Sequence, residues 1–188
     1  MLRRLAIGVV SAALLATLGT GLVAAKAGAL NAELVAVRAA VAKYHDYDQA
    51  LLDGYSLAGE SCVFSADGTI GYHAVNFDLA VSGRNDPARP PILLYTPRND
   101  SLELVAVEYF QVALANTESG PALWWDASQA PALGFFNPAP SIFGRSFDGP
   151  MAGHNSQMPW HYDLHAWVVE SNPAGVFEMF NPAISCNA

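Results

Sequence analysis

Three of the chain's five histidines lie within twelve residues, at His154, His161 and His165, and Trp160 and Asp163 share that window. Imidazole and carboxylate are the side chains that bind divalent metals and move protons near neutral pH. Only 14% of the chain is charged, so this concentration marks where chemistry would be done. If 161–169 is a strand, successive side chains face opposite sides. His161, Asp163, His165, Trp167 and Val169 then share one face, and Tyr162, Leu164, Ala166 and Val168 the other. The second row suits a core. The first sets three ionisable groups in succession along a pocket or an open face.

Spacing limits what this row does alone. Neighbours on one strand face are about 6.6 Å apart, so His161 with Asp163, or Asp163 with His165, can converge on one ion. His161 and His165 are about 13 Å apart on a straight strand and share an ion only across a bend, a bulge or a helical turn. The zinc-protease helix motif does not apply, because Tyr162 follows His161 where that motif has Glu. Further ligands must come from elsewhere. Glu108 sits in the otherwise apolar row Leu102, Leu104, Ala106 and Phe110. A carboxylate among buried apolar neighbours is costly unless it is paired, hydrogen-bonded or metal-bound. An exposed edge is the plain alternative. His73, in Gly71-Tyr72-His73-Ala74-Val75, reads most simply as a core histidine, yet it supplies another imidazole.

The resulting ligand set is His73, Glu108, His161 and His165, with Asp163 and His154 as proton carriers. Nitrogen and oxygen ligands on a sheet suit zinc, iron, copper or manganese. A metal-free polar pocket and purely structural histidines are the competing readings. Other catalytic schemes have less support. Ser61, Ser65 and Ser156 lack a nucleophile-elbow context, and no Gly-rich phosphate loop occurs. Glu108 with Asp163 would serve as an acid pair for glycoside cleavage only at a separation that sequence does not reveal.

These residues need elements to hold them. Residues 29–56 read as helical, with Leu30, Leu34, Val37, Val41 and Tyr44 at three- and four-residue spacing and Asn31 as N-cap. A second helical stretch, Tyr47 to Leu52, stops at Gly54. His45, Asp46 and Asp48 read as its solvated face. Strands are expected near 69–77, 91–96, 102–115 and 161–170. Asn85-Asp86-Pro87 and Arg98-Asn99-Asp100 read as turns, which makes 92–112 an antiparallel hairpin. From 117 to 160 the chain is rich in Pro and large aromatics, and reads as a lid or ordered cover over the sheet, unless its aromatics simply complete the core. Trp124, Trp125 and Trp160 would give a contact surface for a small or carbohydrate-like ligand.

The N-terminus reads as an export signal over residues 1–27, followed by a single domain over 28–188. Arg3 and Arg4 precede an apolar run from Leu5 to about Val23, and Ala25-Lys26-Ala27 fits a small-x-small cleavage site. An uncleaved anchor is the alternative. Without residues 1–27, six basic residues face 17 acidic ones, a net charge of about −11 with neutral histidine. That surface repels phosphate backbones and anionic membranes, so nucleic acid is a poor partner and no stable membrane association is expected after cleavage. In an exported chain, Cys62 and Cys186 read as one disulfide. The alternative, a thiol metal pair or redox couple, lacks a Cys-x-x-Cys context.

Several phrases together carry a resemblance. They are Lys43-Tyr44-His45-Asp46 with Gly54-Tyr55, Gly71-Tyr72-His73, Val107-Glu108-Tyr109-Phe110, and Phe147-Asp148-Gly149-Pro150-Met151 leading to the 161–167 segment. The chain resembles a group of uncharacterised exported bacterial proteins, a likeness that implies no activity or cofactor. It resembles the cupins only as a small β domain with His and Glu on strands, and it lacks their compact His-x-His pair.

The expected fold is α+β, with an N-terminal helix on an antiparallel sheet or small open β-barrel and a long ordered Pro/aromatic-rich loop. The expected function is an exported metal-binding protein. As an enzyme, it would use the metal to activate water or oxygen. The alternatives are a secreted, non-enzymatic module for a small or carbohydrate-like ligand, and a structural envelope protein.

Overall fold

In the computed structural model, which describes residues 11–59, 61–154 and 158–187, helix and sheet meet through one apolar core. Helix α1 is described from Ser11 to Val41. It crosses the expected cleavage point after Ala27 without a break. Asn31 is therefore not an N-cap: Ala- and Leu-rich sequence on both sides of it keeps helical propensity high, and the helix continues upstream. A 3-10 turn (Ala42–His45) leads to α2 (Tyr47–Leu52). Asp46, expected on a solvated face, caps α2 by accepting from the Asp48 amide. Among the described residues no helix is long and apolar enough to cross a membrane.

The remaining elements are β1 (Ser56–Leu57), β2 (Val63–Ser65), β3 (Gly68–Val75), α3 (Phe77–Val81), β4 (Ile92–Arg98) and β5 (Ser101–Val112). After them come β6 (Leu114–Ala115), β7 (Ala122–Leu123), β8 (Ser141–Ile142), β9 (Arg145–Ser146), β10 (Asp148–Met151) and β11 (His161–Ala166). The main sheet is antiparallel, in the order β1-β3-β4-β5-β11-β10, with β2 also paired to β3. It stays open, so the barrel alternative does not hold. The β4–β5 hairpin is present as expected. Its turn places Asn99 and Asp100 at φ 50° and 60°, the left-handed pair that matches the twist of two-residue hairpins. One short element went unread: Asn76 caps α3 by accepting from the Leu79 amide, which ends β3 before residue 77.

The sheet has two different faces. On one, Val37, Val41 and Tyr44 from the helical segment join Leu93, Tyr95, Tyr109 and Leu164 in the larger core. On the other, Ile70, Ile92, Leu94, Ala106, Phe110 and Trp167 form a second cluster. Met179, Phe180 and Ile184 of the C-terminal tail pack over that cluster. Strict alternation fails within β5. Leu94 pairs with Ala106 but Tyr95 pairs with Leu104, so Val105 is an extra residue. This bulge moves Leu102 and Leu104 to the helix side and leaves Ala106 and Phe110 on the other. The expected common face of all four residues is thereby corrected. Likewise β11 ends at Ala166, and Val169 packs with the helix-side core rather than with the histidine row.

Two features fix the chain around the second face. Gly71 has φ +113°, and a Cβ there would lie 2.4 Å from the Tyr95 carbonyl oxygen, so only glycine lets β3 approach β4 this closely. Cys62 and Cys186 form a disulfide, with Cα atoms 5.7 Å apart and a sequence separation of 124. Thr69 and Asn181 exchange backbone hydrogen bonds nearby. Closing so long a loop should contribute about 4–5 kcal/mol by chain entropy. We therefore expect Cys186→Ser, or reduction, to lower unfolding free energy by about that amount in urea denaturation. A loss under about 1 kcal/mol would mean that the tail is held by its apolar contacts instead.

Candidate metal centre

Strand pairing brings the ionisable residues together on the second face. Glu108 on β5 is the direct cross-strand partner of His165 on β11. His73 on β3 pairs with Leu94 on β4, and Ile92 of β4 pairs with Glu108. His73 therefore reaches Glu108 across one intervening strand. The bulge at Val105 sets the phase of β5 that turns Glu108 to this side.

The geometry is tight. His73 Nε2 lies 3.3 Å from Glu108 Oε2, and His165 Nε2 lies 3.7 Å from the same oxygen. Ligand atoms of His73, Glu108 and His165 all fall within 4.8 Å of one another. Ligands bound at about 2.1 Å to a tetrahedral ion sit about 3.4 Å apart, close to these separations. The row continues on the other side of His165. Its Nδ1 is 4.0 Å from Asp163 Oδ1, and Asp163 Oδ2 is 3.7 Å from His161 Nε2. His161 thus joins through Asp163 and stands outside the group of three.

The row is buried, where the sequence left open a pocket or an open face. Residue exposure is 6% at His73, 2% at Glu108 and His165, 1% at Asp163 and 0% at His161. Buried polar groups normally find hydrogen-bond partners. Here Glu108 Oε2, Asp163 Oδ1, His161 Nε2 and both ring nitrogens of His165 have none. His161 shows why this matters. Its Nδ1 lies 3.1 Å from the Pro159 carbonyl oxygen, which fits Nδ1–H donation and leaves Nε2 as a bare lone pair. That lone pair faces a carboxylate oxygen, an arrangement that calls for a cation or a proton between them.

The electrostatics agree. Burial pushes the Glu108 carboxyl upward, but the imidazoles of His165, His73 and His161 outweigh it and hold it well below the ordinary carboxylate range. Glu108 is therefore kept as a carboxylate, the form that binds metal. His154 lies at the edge of the group, partly open to solvent, with its ring edge-on to His161 at 5.4 Å. Burial of that ring, and then its neighbour His161, hold its imidazole below the usual value. Asp148, which the sequence does not single out as a site residue, pairs with Asp163. Burial first, and then Asp163, raise its carboxyl above the usual value. No local pattern marks Asp148, because strand pairing alone places it there.

The three tryptophans have separate roles. The Trp124 indole donates to Gln129 and the Trp160 indole to Asp126, both at 2.7 Å to backbone oxygens, so both N–H groups are used within the loop. Trp125 is half exposed and lines an apolar cavity. In comparison with known proteins, the chain matches no family model, no curated protein and no solved structure.

A structural role for the buried row and a ligand-binding role make opposite demands on stability. If the row exists to hold an ion, metal-free protein carries an uncompensated desolvation cost. Replacing His73, Glu108 and His165 together by Leu should then make metal-free protein more stable by about 1–4 kcal/mol in urea denaturation. A less stable triple variant would show that the row holds the core together.

Proposed function

We propose that this is an exported metal-binding protein whose His73, Glu108 and His165 hold one divalent transition metal. The observation that carries this reading is the convergence of three buried ligand groups around Glu108 Oε2, in a row where Asp163 Oδ1, His161 Nε2 and both ring nitrogens of His165 also lack hydrogen-bond partners. Two imidazoles and one carboxylate suit zinc, iron(II) or manganese(II), and both cysteines are tied up in the disulfide. Three protein ligands leave positions for water or oxygen, the arrangement that a metal-activated nucleophile requires. Asp163 faces the far nitrogen of His165 and would fix the orientation of that ring, as carboxylates commonly do behind metal-bound histidines. His154, at the partly open edge, is the group placed to pass protons to solvent. Export is supported by the Arg-led apolar N-terminus and by a disulfide of the kind that persists in oxidising compartments.

Elemental analysis of protein exported natively and purified without tag or chelator should find near one equivalent of a transition metal, absent from His165→Ala. No metal after incubation with zinc, iron, manganese and copper would overturn the reading. Asp163→Asn should retain the site but bind about 10–100-fold more weakly in chelator competition. An unchanged affinity would remove Asp163 from the centre.

Proton competition gives a third check. Imidazole binds metal only when neutral, so protonation opposes binding. Occupancy should fall as the pH is lowered and recover on return to neutral pH, read by dialysis and metal analysis. Occupancy that is flat down to pH 4 would mean that imidazoles are not the ligands.

A further inference from the structure

An apolar cavity of about 690 Å³ opens beside the centre on the same side of the sheet. Its floor includes Val75, Ile92, Phe110 and Val112. Ile92 is the strand partner of Glu108, Phe110 of Asp163 and Val112 of His161. The floor thus runs alongside the buried ionisable row, residue against residue. Phe110 also stacks on His161, with ring centroids 5.1 Å apart. Pro159, whose carbonyl holds His161 Nδ1, lines the cavity too. Cavity and centre share a wall.

The lining restricts the ligand. Among the described residues it carries no charged side chain. Asn137 donates to the Val112 carbonyl and accepts from the Leu114 amide, and the Gln111 side-chain oxygen accepts from Asn85. A sugar or an ion would lose most of its hydration here with little to replace it. The volume is that of small-molecule sites, which are mostly apolar clefts of this kind. The mouth points the same way. Phe77 and Val81 of α3 are 60% and 74% exposed, and Leu123 and Trp125 across from them are 46% and 50% exposed, yet all four line this one cavity. Exposed apolar side chains gathered at one opening mark a binding site, whereas scattered ones do not.

We propose that this cavity binds an uncharged, apolar small molecule and holds it against the metal centre as that centre's substrate. Binding itself rests on the cavity alone. The role as substrate rests on the metal reading above, and the two can fail separately.

The test uses N-phenyl-1-naphthylamine, a neutral apolar fluorophore. The purified protein should bind it saturably, one to one, with enhanced emission. Val81→Arg, at a mostly exposed position on the mouth, should weaken binding at least tenfold, and Leu123→Arg from the opposite side should do the same. The triple Leu variant of the metal ligands should still bind it. Cobalt(II), loaded at the centre, should quench the bound probe. Unsaturable binding, or binding indifferent to both arginine variants, overturns the cavity as a ligand site. So does a protein that ignores the probe but is a dimer, or sediments with neutral phosphatidylcholine vesicles, until Val81→Arg releases it; the mouth would then be a docking face. Bound cobalt without quenching overturns the placement beside the centre. If the probe binds as expected but no metal does, the apolar site stands, while the metal reading and the substrate role fall together.

Discussion

The fold is organised around a carboxylate that should not be where it is. Glu108 is buried in the middle of a sheet face, beside the apolar Ile92, Leu94, Ala106 and Phe110. Desolvation opposes its charge, and three imidazoles oppose desolvation. A neutral acid would remove the conflict at little cost, but His73 and His165 hold the group ionised. Both ring nitrogens of His165 in turn lack a hydrogen-bond partner. Such mutual dependence among buried charges is a poor way to stabilise a core, because apolar residues of the same volume would do it better. Local rules are usually broken at functional sites.

The rest of the architecture keeps that arrangement in place. The helix-side core, from Val37 and Val41 through Tyr95 to Tyr109, is ordinary close-packed apolar structure. It carries the stability that the other face spends on ionisable groups. Buried hydroxyls tie the same side to the backbone: Tyr95 donates to Tyr44 at 2.8 Å, and Tyr55 to Pro90 at 2.7 Å. On the second face, the disulfide and the paired Thr69 and Asn181 backbones hold the C-terminal tail over the cluster. The tail's Phe180 and Met179 close the apolar side. The ionisable row is thus embedded in low-dielectric surroundings, where each electrostatic interaction is strengthened.

Much of this was legible in the sequence. Period-two alternation in 161–166 correctly put the histidines and Asp163 on one face and Tyr162 and Leu164 on the other. The hairpin, its Asn99-Asp100 turn and the Cys62–Cys186 pairing followed from local chemistry. His73, Glu108, His161 and His165 stand out as one ligand set by residue type and strand face, and strand pairing brings three of them together. What escaped was long-range or irregular. A bulge inserts one residue and reverses the phase of a strand without changing its composition, so Val105 gave no warning. Asp148 reached Asp163 only through β10–β11 pairing. His161 fell behind Asp163 because a strand keeps residues four apart too distant to share the same three-ligand group. The cavity mouth joins α3 to a loop more than forty residues later in sequence, and periodicity cannot see such a meeting.

The position of the apolar cavity gives the centre a chemical logic. A metal open to bulk water binds and releases water freely, and its reactivity is spent on solvent. Walls such as Ile92 and Phe110 exclude water on one side of the row, while His154 remains near solvent on another. Charge interactions inside are then stronger than in water, and an apolar molecule gains by displacing the poorly bound water of the cavity. The same apolar residues that make Glu108 costly to bury would therefore favour an apolar ligand in the proposed site. On that proposal the unsatisfied row and the exposed apolar mouth answer one requirement: a polar centre set beside a ligand that offers it no hydrogen bonds.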